Sequence, residues 1–170
     1  MQNDEKGEEL IKAAARGDTP AIQSLLAAGA DPNARNEHGY TALIYVANRG
    51  DAGAVQALIE AGAEIDAHNE HGMTALMRAA FSEKTLNLVA LIRAGADVNA
   101  EDINGQTALV WAKKTGREEH AEILIGAGAN DSPSIQGDTL AQLKSKEKRE
   151  AEPVPSDSLL SKLRRAFRIE

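Results

Sequence analysis

The sequence contains no cysteine, and only 3% of its 170 residues are aromatic. The lack of cysteine excludes disulfides, thiolate catalysis and cysteine-based zinc sites, and it fits a reducing compartment. With so few aromatic residues, a core must consist of alanine, leucine, isoleucine and valine. No apolar run approaches the ~20 residues of a membrane-spanning helix, and the start MQNDEKGEEL lacks the apolar stretch of a secretory signal. We therefore expect a soluble, cytoplasmic protein.

Charge is unevenly distributed along the chain. The net charge of −7 combines an acidic body over residues 1–130 with a basic stretch at the end of the sequence. An acidic body argues against nucleic acid as the main partner, because phosphate binding needs a basic face. It favours partner surfaces that are basic.

A period of 33 residues runs through most of the chain. TAL occurs at 41–43, 74–76 and 107–109, and GA occurs at 29–30, 62–63, 95–96 and 128–129. The stretch NEHG recurs at 36–39 and 69–72 with the same spacing. A fixed period of this size is typical of a stacked repeat array. The sequence therefore predicts four units without insertions or deletions between them.

Each unit is predicted to contain two short helices. In the second unit, Thr41 can cap a first helix that ends near Arg49, and a second helix runs to Gly62, where a left-handed residue commonly ends a helix. One such pair cannot bury its apolar face, so neighbouring units must cover it. In the third unit, FSEK replaces the glycine-containing turn between the helices, which favours a longer first helix there.

These motifs resemble the ankyrin repeat, whose units open with Gly-x-Thr-Pro-Leu-His-x-Ala. The corresponding stretches here are GYTALIYVA, GMTALMRAA and GQTALVWAK. The resemblance implies an all-α ankyrin-repeat solenoid of stacked helix-turn-helix units joined by β-hairpin-like loops. Two family positions differ: the proline is replaced by Ala42, Ala75 and Ala108, and the histidine by Ile44, Met77 and Val110.

The resemblance covers residues 8–130 and sets the predicted domain organisation. Residues 1–7 form a polar N-terminal extension, and the first unit serves as the N-terminal cap of the array. The units comprise residues 8–35, 36–68, 69–101 and 102–130. A linker that accommodates a short charged helix follows at 131–157, and a basic amphipathic helix follows at 158–170.

Two Glu-His pairs, Glu37-His38 and Glu70-His71, are the strongest candidates for chemistry. Both are expected at loop tips of successive units, about 8–10 Å apart. Two nitrogens sharing one zinc must each lie ~2 Å from it, so we interpret NEHG as a repeated turn. The fourth unit's His120 is predicted to be a partly buried surface residue. No phosphate-binding loop or nucleophile–base arrangement is present, so we expect no enzymatic activity, cofactor or metal.

Partner binding is the function that the resemblance implies. Ankyrin arrays hold partners on a concave face made of loop tips and first helices, which predicts an inhibitor, immunity factor or adaptor. Tyr40 and Phe81 are the preferred anchors, because exposed aromatic residues often dominate interface energy. Tyr45 and Trp111 either join this face or pack between repeats. The predicted face comprises Arg35, Glu37, His38, Tyr40, Asn48, Arg49, His68, Glu70, His71, Met73, Phe81, Ser82, Glu101, Ile103, Gln106, Lys114 and Thr115.

The C-terminal segment LLSKLRRAFRI has an apolar face and a basic face. Three interpretations remain open: an interfacial membrane anchor, a helix that docks on another protein, or a cap that returns to this chain's own acidic loop row. The membrane interpretation gives the alternative function, a membrane-associated scaffold. The residues predicted to dock are Leu159, Leu160, Leu163, Arg164, Arg165 and Phe167.

Overall fold

A computed structural model of the protein describes residues 2–130, which form eight α-helices and one isolated antiparallel bridge between His68 and Thr74. The predicted linker 131–157 and basic helix 158–170, including the docking residues from Leu159 to Phe167, lie outside the described residues. The helices are α1 (Gln2–Arg16), α2 (Thr19–Ala27), α3 (Ala42–Arg49), α4 (Ala52–Glu60), α5 (Ala75–Phe81), α6 (Thr85–Arg93), α7 (Ala108–Lys114) and α8 (Glu118–Gly126).

The helices form two layers. The first helices of the units, α1, α3, α5 and α7, pack side by side in chain order, and the second helices α2, α4, α6 and α8 do the same. Within each unit the two helices also pack against each other. This arrangement confirms the predicted all-α stack, in which each unit's apolar face is covered by its neighbours.

The first helices begin at the threonine of each TAL motif. The hydroxyls of Thr41, Thr74 and Thr107 each accept from the backbone amide three residues later, at 3.3, 3.3 and 3.4 Å. This bond satisfies one of the amides left free in the first turn of a helix. Ile44 and Met77, which replace the family's histidine, are fully buried. Apolar packing therefore takes the place of a polar side chain at these positions.

The second helices end at the predicted GA steps. Gly62 adopts a positive φ of 87°. Its amide donates to the carbonyl of Ile59 at 3.0 Å, and the amide of Ala63 donates to the carbonyl of Leu58 at 2.9 Å. These bonds satisfy carbonyls that the helix end would otherwise leave free.

Asparagine side chains join these helix ends between successive units. Asn33 donates through Nδ2 to the carbonyl of Gly62 at 3.1 Å and accepts from the amide of Glu64 at 2.7 Å. Asn99 accepts from the amide of Asn130 at 2.8 Å in the same way. The asparagine of the GADPNA and GADVNA motifs therefore fixes the spacing of the units.

The N-terminal residues differ from the prediction. Helix α1 begins at Gln2, so residues 2–7 belong to the first helix and are not a separate extension. Lys6 donates through Nζ to the carbonyl of Ala28 at 2.8 Å, which ties this turn to the end of α2. The helix-favouring glutamate and lysine residues of this stretch extend the helix.

The third unit also differs from the prediction. Helix α5 has 7 residues and α3 has 8, so the expected longer first helix is wrong. Ser82 ends α5, because its hydroxyl donates to the carbonyl of Ala79 at 2.9 Å and accepts from the amide of Lys84 at 3.0 Å. A serine side chain thus replaces the glycine of the other units.

None of the helices within residues 2–130 is long and apolar enough to cross a bilayer.

Candidate protein-binding face

The NEHG stretches form tight loops ordered by their asparagine. Asn36 Oδ1 accepts from the amides of His38 and Tyr40 at 3.0 and 2.9 Å. Asn69 makes the same pair of bonds in the next unit, and Asp102 takes this role in the fourth. The interpretation of NEHG as a repeated turn therefore has a physical basis in the asparagine side chain.

The loop tips are also hydrogen-bonded to one another. The amide of Glu70 donates to the carbonyl of His38 at 3.2 Å, and the amide of Ile103 donates to the carbonyl of His71 at 3.1 Å. The loops approach closely: a Cβ added to Gly72 would lie 2.9 Å from the Cα of Asp102. The tips therefore form one continuous row rather than independent loops.

The Glu-His pairs lie in contact along this row. Glu70 Oε1 is 3.2 Å from His38 Nδ1 and 3.7 Å from His71 Nε2, and Glu37 Oε1 is 3.6 Å from His38 Nε2. All four side chains are exposed, so these pairs contribute little to stability. Within residues 2–130, no group of three or more histidine, aspartate or glutamate residues is placed to hold a metal ion. The arrangement offers charge and hydrogen bonds to a partner.

Two aromatic pairs lie on the first helices and the adjoining loops. The rings of Tyr40 and Tyr45 stack with centroids 5.0 Å apart, and those of Phe81 and Trp111 meet edge to face at 6.3 Å. Trp111 also faces Lys114, whose Nζ is 5.7 Å from the ring centroid. Tyr45 and Trp111 are half-buried. They therefore both support the anchor residues and border the face.

Most of the predicted face is accessible. Phe81 and Ile103 are 42% and 67% exposed, which is unusual for large apolar side chains. Tyr40, Asn48, Met73, Gln106 and Thr115 are half-buried. The exposed members are Arg35, Glu37, His38, Arg49, His68, Glu70, His71, Phe81, Glu101, Ile103 and Lys114.

Two predictions about single residues are wrong. Ser82 is only 4% exposed, and the hydroxyl bonds that end α5 occupy it, so it offers nothing to a partner. His120 is not a partly buried surface residue but is 3% exposed. Its Nδ1 lies 3.1 Å from the carbonyl of Ala80 and its Nε2 lies 3.1 Å from the hydroxyl of Thr85. These contacts give His120 a structural role between the third and fourth units.

The sequence reasoning missed one cation of this face. Arg78 lies on α5, 33 residues after Tyr45 and 33 before Trp111. It is half-buried, and its Nε has no partner among the described residues. The only signal in the sequence is that a cation stands where the two flanking units have an aromatic residue.

The sequence model of a known family, described as ankyrin repeats in three copies, matches residues 10–102. The match covers more than half of the chain. The protein belongs to the ankyrin-repeat family. Helices α7 and α8 add a further pair beyond the matched residues. No curated protein matches the sequence. Ankyrin repeats are protein–protein interaction modules and are generally non-enzymatic.

Proposed function

We propose that the array binds a partner protein on the face made of its loop tips and first helices, which is the concave face in this family. The observation that carries this proposal is the pair of aromatic clusters on that face, Tyr40–Tyr45 and Phe81–Trp111, beside the exposed Ile103. Aromatic side chains with an apolar body and a polar tip are common anchors of interfaces.

The order of the loop row supports the same proposal. Each tip is held by two bonds to its own Asn or Asp side chain, and successive tips are joined by backbone bonds. A face that is ordered before binding loses little conformational entropy when the partner arrives. The protein would then act by occupying its partner, as an inhibitor, immunity factor or adaptor, without chemistry of its own. The absence of cysteine supports a cytoplasmic location.

The decisive experiment compares two matched double variants as bait in affinity purification with quantitative mass spectrometry. Tyr40→Ala with Phe81→Ala should reduce recovery of the partner at least about tenfold, since each anchor residue is worth ~2 kcal/mol. Leu86→Ala with Ile125→Ala removes exposed apolar side chains from the second helices α6 and α8 instead, and should leave recovery unchanged. Circular dichroism confirms that both variants fold. Equal recovery by the Tyr40/Phe81 variant and the wild type would show that the assigned face is wrong.

The alternative function is a membrane-associated scaffold that uses the basic segment at 158–170. Its support is the sequence pattern alone, in which Leu159, Leu163 and Phe167 recur at helical spacing beside Arg164 and Arg165. Co-sedimentation with anionic liposomes, using the full chain and a version ending at Asp157, tests it. Equal, negligible sedimentation of both would remove this alternative.

A further inference from the structure

Three equivalent positions on the first helices face the loop asparagine or aspartate of their own unit. In the second unit, Asn36 Nδ2 donates to the hydroxyl of Tyr45 at 3.4 Å. In the fourth unit, Asp102 Oδ2 accepts from Trp111 Nε1 at 3.2 Å. Each of these pairs contains one donor and one acceptor, so the inner side of both loops is satisfied.

The third unit breaks this rule, because its pair is Asn69 and Arg78. Asn69 Oδ1 accepts from the amides of His71 and Met73 at 3.0 and 2.9 Å, so the side-chain atom that remains is the donor Nδ2. Arginine carries only donors. Asn69 is 2% exposed, and both its Nδ2 and Arg78 Nε are buried without a partner among the described residues. Two donors cannot satisfy each other.

Buried donors without acceptors destabilise a fold, so each such group calls for an explanation. The terminal nitrogens of Arg78 have no bond to another described residue and are not enclosed, which leaves them accessible from the face. Helix α5 lies between α3 and α7, so this guanidinium lies between the Tyr45 and Trp111 positions. A planar acceptor with two oxygens is the group that matches a guanidinium edge.

We propose that Arg78, supported by Asn69, binds a carboxylate side chain of the partner protein. The inference rests on the proposed function, since the partner must already dock on this face. Further cations on the first helices, Arg49 and Lys114, give this part of the face the opposite charge to the chain as a whole. The loop row above it carries Glu37, Glu70 and Glu101, which would repel a polyanion such as RNA. A single aspartate or glutamate inserted between aromatic walls avoids that repulsion.

The first test supplies the missing acceptor from within the chain. In Asn69→Asp, one oxygen should keep the two loop amides, as in Asp102, and the other should accept from Arg78. We expect the melting temperature of the full chain to rise by about 4 °C. Asn36→Asp is the matched control, since Tyr45 already pairs with Asn36, and it should give no gain. An Asn69→Asp melting temperature no higher than that of the control overturns the proposal.

The second test measures recognition with a defined probe, a random peptide library displayed on phage and selected on the full-length wild-type protein. Selected peptides should share an aspartate or glutamate, and its change to asparagine or glutamine should weaken binding about tenfold or more. Arg78→Gln and Asn69→Asp should weaken binding by a similar factor. Arg93→Gln, which removes the same charge from the second helix of the same unit, should not.

The outcomes separate this inference from the proposed function. Peptides that need Tyr40 and Phe81 but tolerate loss of their carboxylates and of Arg78 overturn the carboxylate site and leave the face intact. Peptides that are indifferent to all three residues, or a selection without enriched peptides, count against both. Tighter, Arg78-dependent binding of RNA also overturns the proposal. If Arg78→Gln fails to fold, the carboxylate exchange within the peptide still decides the question on wild-type protein.

Discussion

The second helices begin differently in the two halves of the array. In the first two units, Asp18 and Asp51 cap α2 and α4 by accepting from the amide three residues later, at 3.1 and 2.9 Å. The equivalent residues of the last two units are Lys84 and Arg117, and neither makes a side-chain capping bond. The backbone is nevertheless similar: Asp18 has φ −84° and ψ 85°, and Lys84 has φ −97° and ψ 73°. The fold therefore keeps the geometry of the cap without its hydrogen bond.

Contacts between units replace the cap in the C-terminal half. Asn87 on α6 donates through Nδ2 to three carbonyls at the end of α3, at 3.1–3.2 Å. His120, 33 residues later, lies against the carbonyl of Ala80 in the same way. Arg117 pairs with Glu83 at 3.0 Å. The first half is thus held by local bonds at its helix starts, whereas the second half depends on bonds to the preceding unit.

The largest effect should come from breaking an inter-unit contact. Asn87→Ala leaves the three carbonyls without this donor in a site that is closed to water, and we expect the free energy of unfolding to fall by about 2–3 kcal/mol. Urea denaturation of the full chain measures the change. Gln23→Ala on the exposed side of α2 is the control and should change it by less than about 0.5 kcal/mol. A similar small loss for Asn87→Ala would mean that the second half does not depend on this contact.

Removing a local cap should have a smaller effect. Asp51→Ala should lower the free energy of unfolding by about 1 kcal/mol, the usual cost of losing a helix N-cap. The contribution should also depend on pH. The amide of Ala54 holds the pKa of Asp51 below its ordinary value of 3.8, and the hydroxyl of Thr19 and the charge of Lys84 act in the same direction.

The sign follows from the lowered pKa. The stabilisation by Asp51 is complete well above pH 3.8 and is lost as the pH falls through the lower pKa of the folded state. The difference in melting temperature between wild type and Asp51→Ala should therefore shrink below pH 3.8. Asp51→Asn keeps a capping oxygen without this titration and serves as the control. A difference that stays constant across this range would exclude the carboxylate as the capping group.

The smallest effect should come from restoring a cap in the third unit. Lys84 already has the backbone angles that Asp18 uses, so Lys84→Asn should cap α6 and raise the free energy of unfolding by about 0.5–1 kcal/mol. Lys84→Gln removes the same charge without capping and is the control. Equal stability of the two variants would indicate that the start of α6 is already satisfied by its contacts with the preceding unit.

The fold could be predicted from the sequence because its signals are local. The 33-residue spacing, the capping threonines and the GA steps each act within a few residues, and the structure bears them out. Ser82 and His120 were misjudged for the opposite reason. Their roles depend on which carbonyl lies opposite them, and for His120 that partner is 40 residues away.

The binding face was only partly predictable. The loop position of Tyr40 and the helix position of Phe81 follow from the repeat phase. Arg78 was missed because helical periodicity reports which side a residue occupies and not whether its donors find acceptors. That mismatch appears only when Asn69 Oδ1 is seen to be used by two backbone amides.

Site-specific photocrosslinking tests the central claim, that partners dock on the loop tips and first helices, most directly. The chain has no cysteine, so Met73→Cys and Leu86→Cys each provide one attachment point for a photoreactive label, the former on the loop row and the latter on α6. The account predicts a discrete crosslinked partner band from the label at position 73 and none from position 86. Crosslinking from position 86 alone would contradict it.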